Sequence, residues 1–345
     1  MKYGLALGGG GARGAFEVGV WRALCELKKE ICAISGTSVG AINGAAFAAG
    51  ADAERLWLNI RPEDIVCRAD GDMLSPSGII SSLDEIIKGG LDASPLKGLI
   101  SAAVSEAAVR ASAVDFGLCA FSVTEKRLVE LFKNDIPYGS LIDYIMASAC
   151  FPVFRQVEIE GEAFTDGGVR NNIPEDMLIS RGIRDIISVS ARGIGVVKDC
   201  GSCGANIIRI KNSEPEPGLM DFEPEKIKRL ILHGYFECMR AFGRCSGEIY
   251  YVNKTSYDSA VRIYGRELVK DTERAAELVG LEKYREYSFS ELVKGVISHI
   301  DRHEGLMTAV KEIERNSYPK LYIVDKKQAI ANSVAYFRRQ QGRNL

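Results

Sequence analysis

Residues 31–51 read "ICAISGTSVGAINGAAFAAGA". The run "ICAISG" has the length and apolar character of a short buried strand. "VGAINGAAFAAGA" follows at once and is rich in small, helix-compatible residues. Between them lies "GTSVG", so Ser38 stands at the corner where a strand gives way to a helix, flanked by Gly36 and Gly40. In a Gly-x-Ser-x-Gly elbow the sharp turn pushes the serine outward at the end of its strand, and the glycines keep side chains off the neighbouring backbone. The pentapeptide alone is also what an ordinary Gly-Ser turn looks like, and its setting after a strand is what gives it weight.

Working outward, "YGLALGG" is another short apolar run ending in glycines, and "AFEVGVWRALCEL" repeats its apolar residues at helical spacing. "DFGLCAFSV" and "RLVELF" read as paired strands around the turn "TEK". "SLIDYIMASAC" opens with Ser140 followed by Asp143, a capping-box pattern before a helix. "RQVEIE" and "EAFTDGGV" form an expected hairpin through Glu160 and Gly161, and "RDIISVSA" and "NIIRIK" add further strands. This alternation, from the start to about residue 211, predicts an α/β fold with helices covering a largely parallel sheet. The proline-rich "NSEPEPGLMDFEP" breaks the rhythm, and "EKIKRLILHGYFECMRAF" has the spacing of one amphipathic helix. We therefore expect a core domain over residues 1–245 and an accessory, mostly helical region over 246–345.

At 345 residues and 46% apolar composition the chain can bury a large core. A formal charge of −2, with no basic block interleaved with aromatics, gives no reason to expect a nucleic-acid partner. Glycines interrupt the N-terminal apolar patch before a signal-type segment is complete, and no run approaches a bilayer-spanning length. The nine cysteines are scattered through apparent core elements such as "MASACFP", which fits a reducing cytoplasm. Cys200 and Cys203 could join Cys238 and Cys245 around zinc or form a disulfide, but loop thiols are the default reading. The tail carries Lys326, Lys327, Arg338, Arg339 and Arg343, and Ile330, Val334 and Phe337 fall on one face. Such a helix can dock peripherally on anionic lipid, although packing of its stripe on the domain is its commoner fate.

A second glycine cluster, "GGGGARG" at residues 8–14, again lies between a strand and a helix. Gly9, Gly11 and Gly14 have the G-x-G-x-x-G spacing of a dinucleotide fingerprint. Equally, consecutive bare N–H groups beside Arg13 would make an oxyanion hole. A dinucleotide site also wants a carboxylate about twenty positions on, at the end of the next strand. The serine elbow occupies that place, which favours the oxyanion reading.

A serine hydroxyl needs a base. The three histidines, His233, His299 and His303, all lie in the helical C-terminal part, and each reads as a solvated or capping side chain. Asp166, at the end of a β-type run in "TDGG" with Gly167 and Gly168 behind it, is the simpler partner. A carboxylate held against the hydroxyl can take its proton, provided burial raises its basicity.

"GGGGARG", "GTSVG" and "DGG" in this order resemble the patatin-like phospholipase family. "ASACFPVF" at 147–154 and "DFEPEKIKRLILHGYFECM" are similar to segments of its bacterial members. Over about the first 245 residues the resemblance implies a three-layer α/β fold with helices on both faces, hydrolysing acyl esters of lipids through a Ser-Asp dyad without histidine, cofactor or metal. By this resemblance Ser38 is the nucleophile and Asp166 its base. Gly9, Gly10 and Gly11 would bind the oxyanion, and Arg13 is the basic residue that follows. An acyltransferase or thioesterase would use the same dyad, and a nucleotide-binding α/β protein without hydrolytic activity would use Ser38 only as a turn residue.

Overall fold

A computed structural model describes residues 1–66, 90–201, 203–214, 217–300 and 334–336. It divides into two compact units, Met1–Ala241 and Phe242–Leu345.

The first unit is built on an eight-stranded sheet. Its strands are β1 (Lys2–Leu7), β2 (Glu30–Thr37), β3 (Asp115–Ser122), β4 (Arg127–Phe132), β5 (Val157–Ile159), β6 (Glu162–Asp166), β7 (Asp185–Ser190) and β8 (Asn206–Lys211). They lie in the order β5-β6-β3-β2-β1-β7-β8, with β4 also paired to β3. From β8 across to β3 all pairings are parallel. The pairings of β3 with β4 and β6, and of β5 with β6, are antiparallel. The parallel part is central, and β1 is buried from Tyr3 to Leu7, as a strand covered on both faces must be. The expected hairpin turns at Glu160 and Gly161, both at positive φ (53° and 81°), the geometry that suits a two-residue connection.

Helices cover both faces. Side chains alternate along a strand. In β2, Ala33 packs with Ile173 and Leu178, the latter on the helix Glu175–Ser180, while its neighbour Ile34 meets Gly44 of the helix that follows Ser38. That helix, α2 (Val39–Ala49), is almost wholly buried, and so carries small residues all round rather than one apolar stripe. The preceding helix, α1 (Ala15–Glu26), packs on the long helix Pro224–Ala241 at glycine contacts. A Cβ on Gly19 would lie 1.8 Å from the Ile231 carbonyl oxygen, and one on Gly234 would lie 1.9 Å from that of Phe16.

Two local expectations fail. Ser140 does precede the helix Leu141–Ser148, but its side chain makes no capping bond. Asp143 instead pairs with Lys97 at 2.6 Å, a partner that local spacing cannot reveal. His233 is not solvated: it is buried in the long helix, edge-on to Phe16 and 3.3 Å from the Ser213 hydroxyl.

The second unit has its own core, including Val252, Val269, Ala276, Leu292 and Val334. Besides the helices Lys254–Tyr264, Arg266–Leu278 and Phe289–Ile300 it contains a small three-stranded sheet of Cys245–Ser246, Tyr251–Asn253 and Glu286–Tyr287. Strands of two and three residues are too short to show alternation, so the sequence pattern reads as helical throughout. The basic tail, apart from residues 334–336, and His303 lie outside the described residues. Among the described residues no helix is long and apolar enough to cross a membrane.

Candidate active site

Ser38 sits between β2 and α2 at φ 58° and ψ −127°, a left-handed conformation that costs a side-chain-bearing residue about 1–3 kcal/mol. The surrounding contacts hold it there. A Cβ on Gly36 would come within 2.2 Å of the Gly40 carbonyl oxygen, and one on Gly40 within 2.4 Å of that of Leu7. The corner can therefore close only where both positions are bare. The Ser38 N–H donates to the Ser148 hydroxyl at 3.0 Å, and Ser148 in turn donates to the Cys119 carbonyl at 2.6 Å. At the far side, Ala41 N–H bonds back to the Ser38 carbonyl at 2.9 Å, starting α2.

Asp166 reaches this corner through the sheet. On β3, Cys119 pairs with Thr37 at the end of β2, and the next residue, Ala120, pairs with Asp166 at the end of β6. Because β4 occupies the other edge of β3, β2 and β6 lie end to end along one edge. Their terminal residues meet where the strands abut. Ser38 stands against the Asp166 carboxyl, both lining one cavity, and Asp166 Oδ1 accepts the Gly168 N–H at 2.7 Å. Burial, leaving the residue 6% exposed, is the largest influence on this carboxyl. It lifts the pKa to about 6, against the opposing influence of Ser38 and of the Gly168 N–H. Gly167 must be bare as well, since a Cβ there would lie 2.2 Å from the Cys119 carbonyl oxygen. Thr37 and Ser35 donate to the carbonyls of Asn171 and Pro174, each at 2.8 Å, tying the segment after Asp166 back to β2.

The glycine loop lies against the same corner. A Cβ on Gly9 would be 3.1 Å from Ser38 Cβ and 2.5 Å from Asn172 Oδ1. Not every expected donor faces the hydroxyl. The Gly9 N–H is committed to the Asn172 carbonyl at 3.1 Å. Gly9 thus contributes close approach rather than a donor. Gly10 and Gly11 open the 3₁₀ turn Gly11–Gly14, where N–H groups have no intrahelical acceptor. Arg13 departs further from expectation. It does not line the cavity beside Ser38; its Nε and Nη1 donate to the carbonyls of Pro217 and Arg192, both at 2.7 Å. Burial, and then the neighbouring Arg192, lower its pKa. It ties together two loops that frame the site. Gly14 serves packing, since a Cβ there would be 2.5 Å from Val39 Cγ2.

Ser38 and Asp166 open into a cavity of about 320 Å³. Its walls are overwhelmingly apolar: Val39 and Ile42 from α2, Leu56, Trp57 and Ile60, Leu96 and Ile100, Phe151 and Phe154, Met220 and Phe222. Asn172 adds a polar side chain that is 4% exposed. Neither His233 nor His299 lines it. The eight described cysteines form no disulfide, Cys200 is buried and Cys203 exposed, and no described group of three or more His, Cys, Asp or Glu is placed to hold a metal ion.

Sequence reasoning missed Ser148 and Asn172 as parts of the site. Ser148 stands in "ASACFPVF", where only the resemblance singled out the segment; Asn172 stands in "NNIP", which follows the aspartate motif.

The patatin-like phospholipase family model matches residues 5–179, half of the chain and all of the elements that build the corner. The chain belongs to the patatin-like phospholipase family. It is similar to patatin-like phospholipase domain-containing protein 7 of Rattus norvegicus, with 31% identity over 191 residues, 54% of this chain and 13% of the rat protein. An uncharacterised NTE family protein of Mycobacterium tuberculosis is 27% identical over 194 residues, 56% of this chain and 49% of its own length. The matched region thus spans about half, or far less, of these relatives. Among solved structures, VipD from Legionella pneumophila aligns over 99% of this chain and 86% of its own, at 14% identity and a TM-score of 0.41.

Proposed function

We propose that this protein is a lipid acyl hydrolase that cleaves carboxylic esters through a Ser38–Asp166 dyad and an acyl-enzyme intermediate. The observation that carries this reading is the placing of a strained serine against a buried carboxyl of raised pKa, at the wall of an apolar cavity. The family name and that of the rat relative support the lipid substrate class.

In this mechanism Ser38 Oγ attacks the ester carbonyl carbon while Asp166 takes its proton. The negative charge that develops on the carbonyl oxygen is met by the N–H groups of Gly10 and Gly11 and by the positive end of α2. As the tetrahedral species collapses, the C–O bond to the leaving alcohol breaks and Asp166 returns the proton to that oxygen. Water then attacks the acyl-serine with the same carboxylate as base, and as this second tetrahedral species collapses the C–O bond to Ser38 Oγ breaks, the proton returns to Oγ and the fatty acid leaves. The apolar walls hold the acyl chain. A carboxyl with a pKa near 6 is mostly ionised at neutral pH, yet basic enough to accept the proton in the transition state. We assign the hydrolytic domain to residues 1–245 and treat 246–345 as an accessory region, a division supported by the break between compact units at Ala241.

The deciding experiment is hydrolysis of a p-nitrophenyl acyl ester together with labelling by a fluorophosphonate. Wild type should turn over the ester and take up the label on the peptide containing Ser38. Ser38→Ala should do neither, and turnover by that variant at the wild-type rate would end the assignment.

A further inference from the structure

Part of the cavity wall continues into an exposed loop that is unusually apolar. Ile194, Val196 and Val197 are 77%, 50% and 56% exposed, and Val169, on the turn after Asp166, is 38% exposed. Contiguous apolar side chains turned to water usually mark a contact surface. This one is built rather than loose. Val196 N–H donates to the Gly168 carbonyl at 2.9 Å, and the Val196 carbonyl accepts the Asn172 N–H at 2.6 Å. The loop is thereby fastened to the segment that follows Asp166. Ile194 and Val169 belong to both features, since they also line the cavity. The exposed patch and the interior wall form one apolar surface.

Two cations stand beside it. Arg170 and Arg192 are both exposed beside these residues, Arg192 steadied by a bond from Nη1 to the Ser213 carbonyl at 3.1 Å. No Asp or Glu occurs in residues 167–174 or 186–198. Lys198 is already paired with Asp176 and Glu130, and Arg170 and Arg192 are the cations that stand among the apolar side chains of the rim.

We infer that this rim, Val169–Arg170 together with Arg192–Val197, docks on the surface of an anionic phospholipid bilayer. The apolar side chains would enter the boundary between headgroups and acyl chains while the arginines meet lipid phosphates. A bilayer fits better than a protein partner because the surface continues to Ser38: an acyl chain lifted from the leaflet passes Val169 and Ile194 into the cavity without crossing water. The inference rests on the lipid hydrolase reading and adds where that enzyme meets its substrate. It involves a different part of the chain from the basic tail.

The test uses the full chain and vesicles of phosphatidylcholine, with and without about one-third phosphatidylglycerol. Val196 and Val197 do not line the cavity, so the double variant Val196→Asp/Val197→Asp leaves its walls unchanged. It should bind the anionic vesicles about tenfold or more weakly and lose hydrolysis of vesicle phospholipid in parallel, while hydrolysis of a short, soluble p-nitrophenyl ester stays within about twofold. Val197→Trp should show quenching by brominated lipid beyond that of wild type, and this decides the matter if the double variant is damaged in its soluble-ester turnover. Wild type that ignores anionic vesicles, a double variant that binds them undiminished, or a Val197→Trp variant quenched no more than wild type would each overturn the inference. Ser38→Ala separates the two readings. It should sediment like wild type while hydrolysing nothing, so vesicle binding without any ester turnover by wild type would remove the hydrolase reading alone, and turnover of the soluble ester without vesicle binding would remove the docking surface alone.

Discussion

Asp166 has two properties that pull against each other. Its burial makes the carboxylate basic enough to be a useful base, and the same burial makes the ionised form costly to keep in the folded protein. The first property predicts a pH profile. Since the base must be unprotonated in free enzyme, kcat/KM for a soluble ester should rise with pH up to about 6 and level off above it. A profile already flat through pH 5 would contradict the role. The second property predicts a stability change. Between the ordinary aspartate value of 3.8 and about 6 the folded chain holds a proton that the unfolded chain has released. The contribution of this group to stability is therefore fully present below 3.8 and is lost as pH rises through the raised value. Asp166→Asn has no such titration. Relative to wild type its unfolding free energy should gain up to about 3 kcal/mol between pH 4 and pH 7.5, even as ester hydrolysis disappears. Denaturant titrations of both proteins at the two pH values measure this, and a difference that does not change with pH would refute it.

At the scale of elements, the site is made by strands sharing an edge. β2 and β6 abut along β3, and Ser148, the last residue of the helix Leu141–Ser148, links the Ser38 amide to the β3 carbonyl of Cys119. Ser148→Ala would leave that amide without its acceptor next to a strained residue. We expect a loss of about 1–3 kcal/mol in stability and about tenfold or more in kcat, with KM for a short ester little changed. Equal kcat in the variant and wild type would show that the elbow holds itself. This link also marks the limit of what sequence reveals. The strand, the elbow and α2 are legible because each rests on local facts: an apolar run, two bare glycines and a stretch of small residues. The meeting of Ser38 with Asp166 is not local, because it depends on β6 docking beyond the end of β2. Only the order of motifs in a familiar family suggested it. Arg13 shows the converse error. Its place in "GGGGARG" suggested an oxyanion contact, whereas its guanidinium is committed to carbonyls at Pro217 and Arg192 that no reading of the motif could supply. The cavity walls from Leu96 and Ile100 were equally invisible, since they come from a segment with no motif at all.

At the scale of the whole molecule, every group in the proposed chemistry belongs to the unit Met1–Ala241, and the second unit is held together by means of its own. Glu273 is the clearest of these. It is fully buried on the helix Arg266–Leu278, and its Oε2 accepts the N–H groups of Glu248, Ile249 and Tyr250 at 2.7, 2.7 and 3.1 Å. One carboxylate thereby fastens the loop that leads into the strand Tyr251–Asn253. A buried charge is tolerable only where donors surround it, and here the donors are three consecutive amides that would otherwise need partners of their own. Glu273→Ala removes the acceptor and keeps its three donors, of which that of Tyr250 is buried. The cost should be about 3 kcal/mol or more, a fall of about 10 °C or more in the melting of the second unit. Ester hydrolysis at room temperature should stay close to wild type, because nothing that touches Ser38 or Asp166 has changed. Calorimetry beside initial rates on the soluble ester tests both halves of this expectation. An unshifted melt would deny Glu273 its structural part, and a collapse of turnover in a protein still folded at the assay temperature would place residues beyond Ala241 in the chemistry.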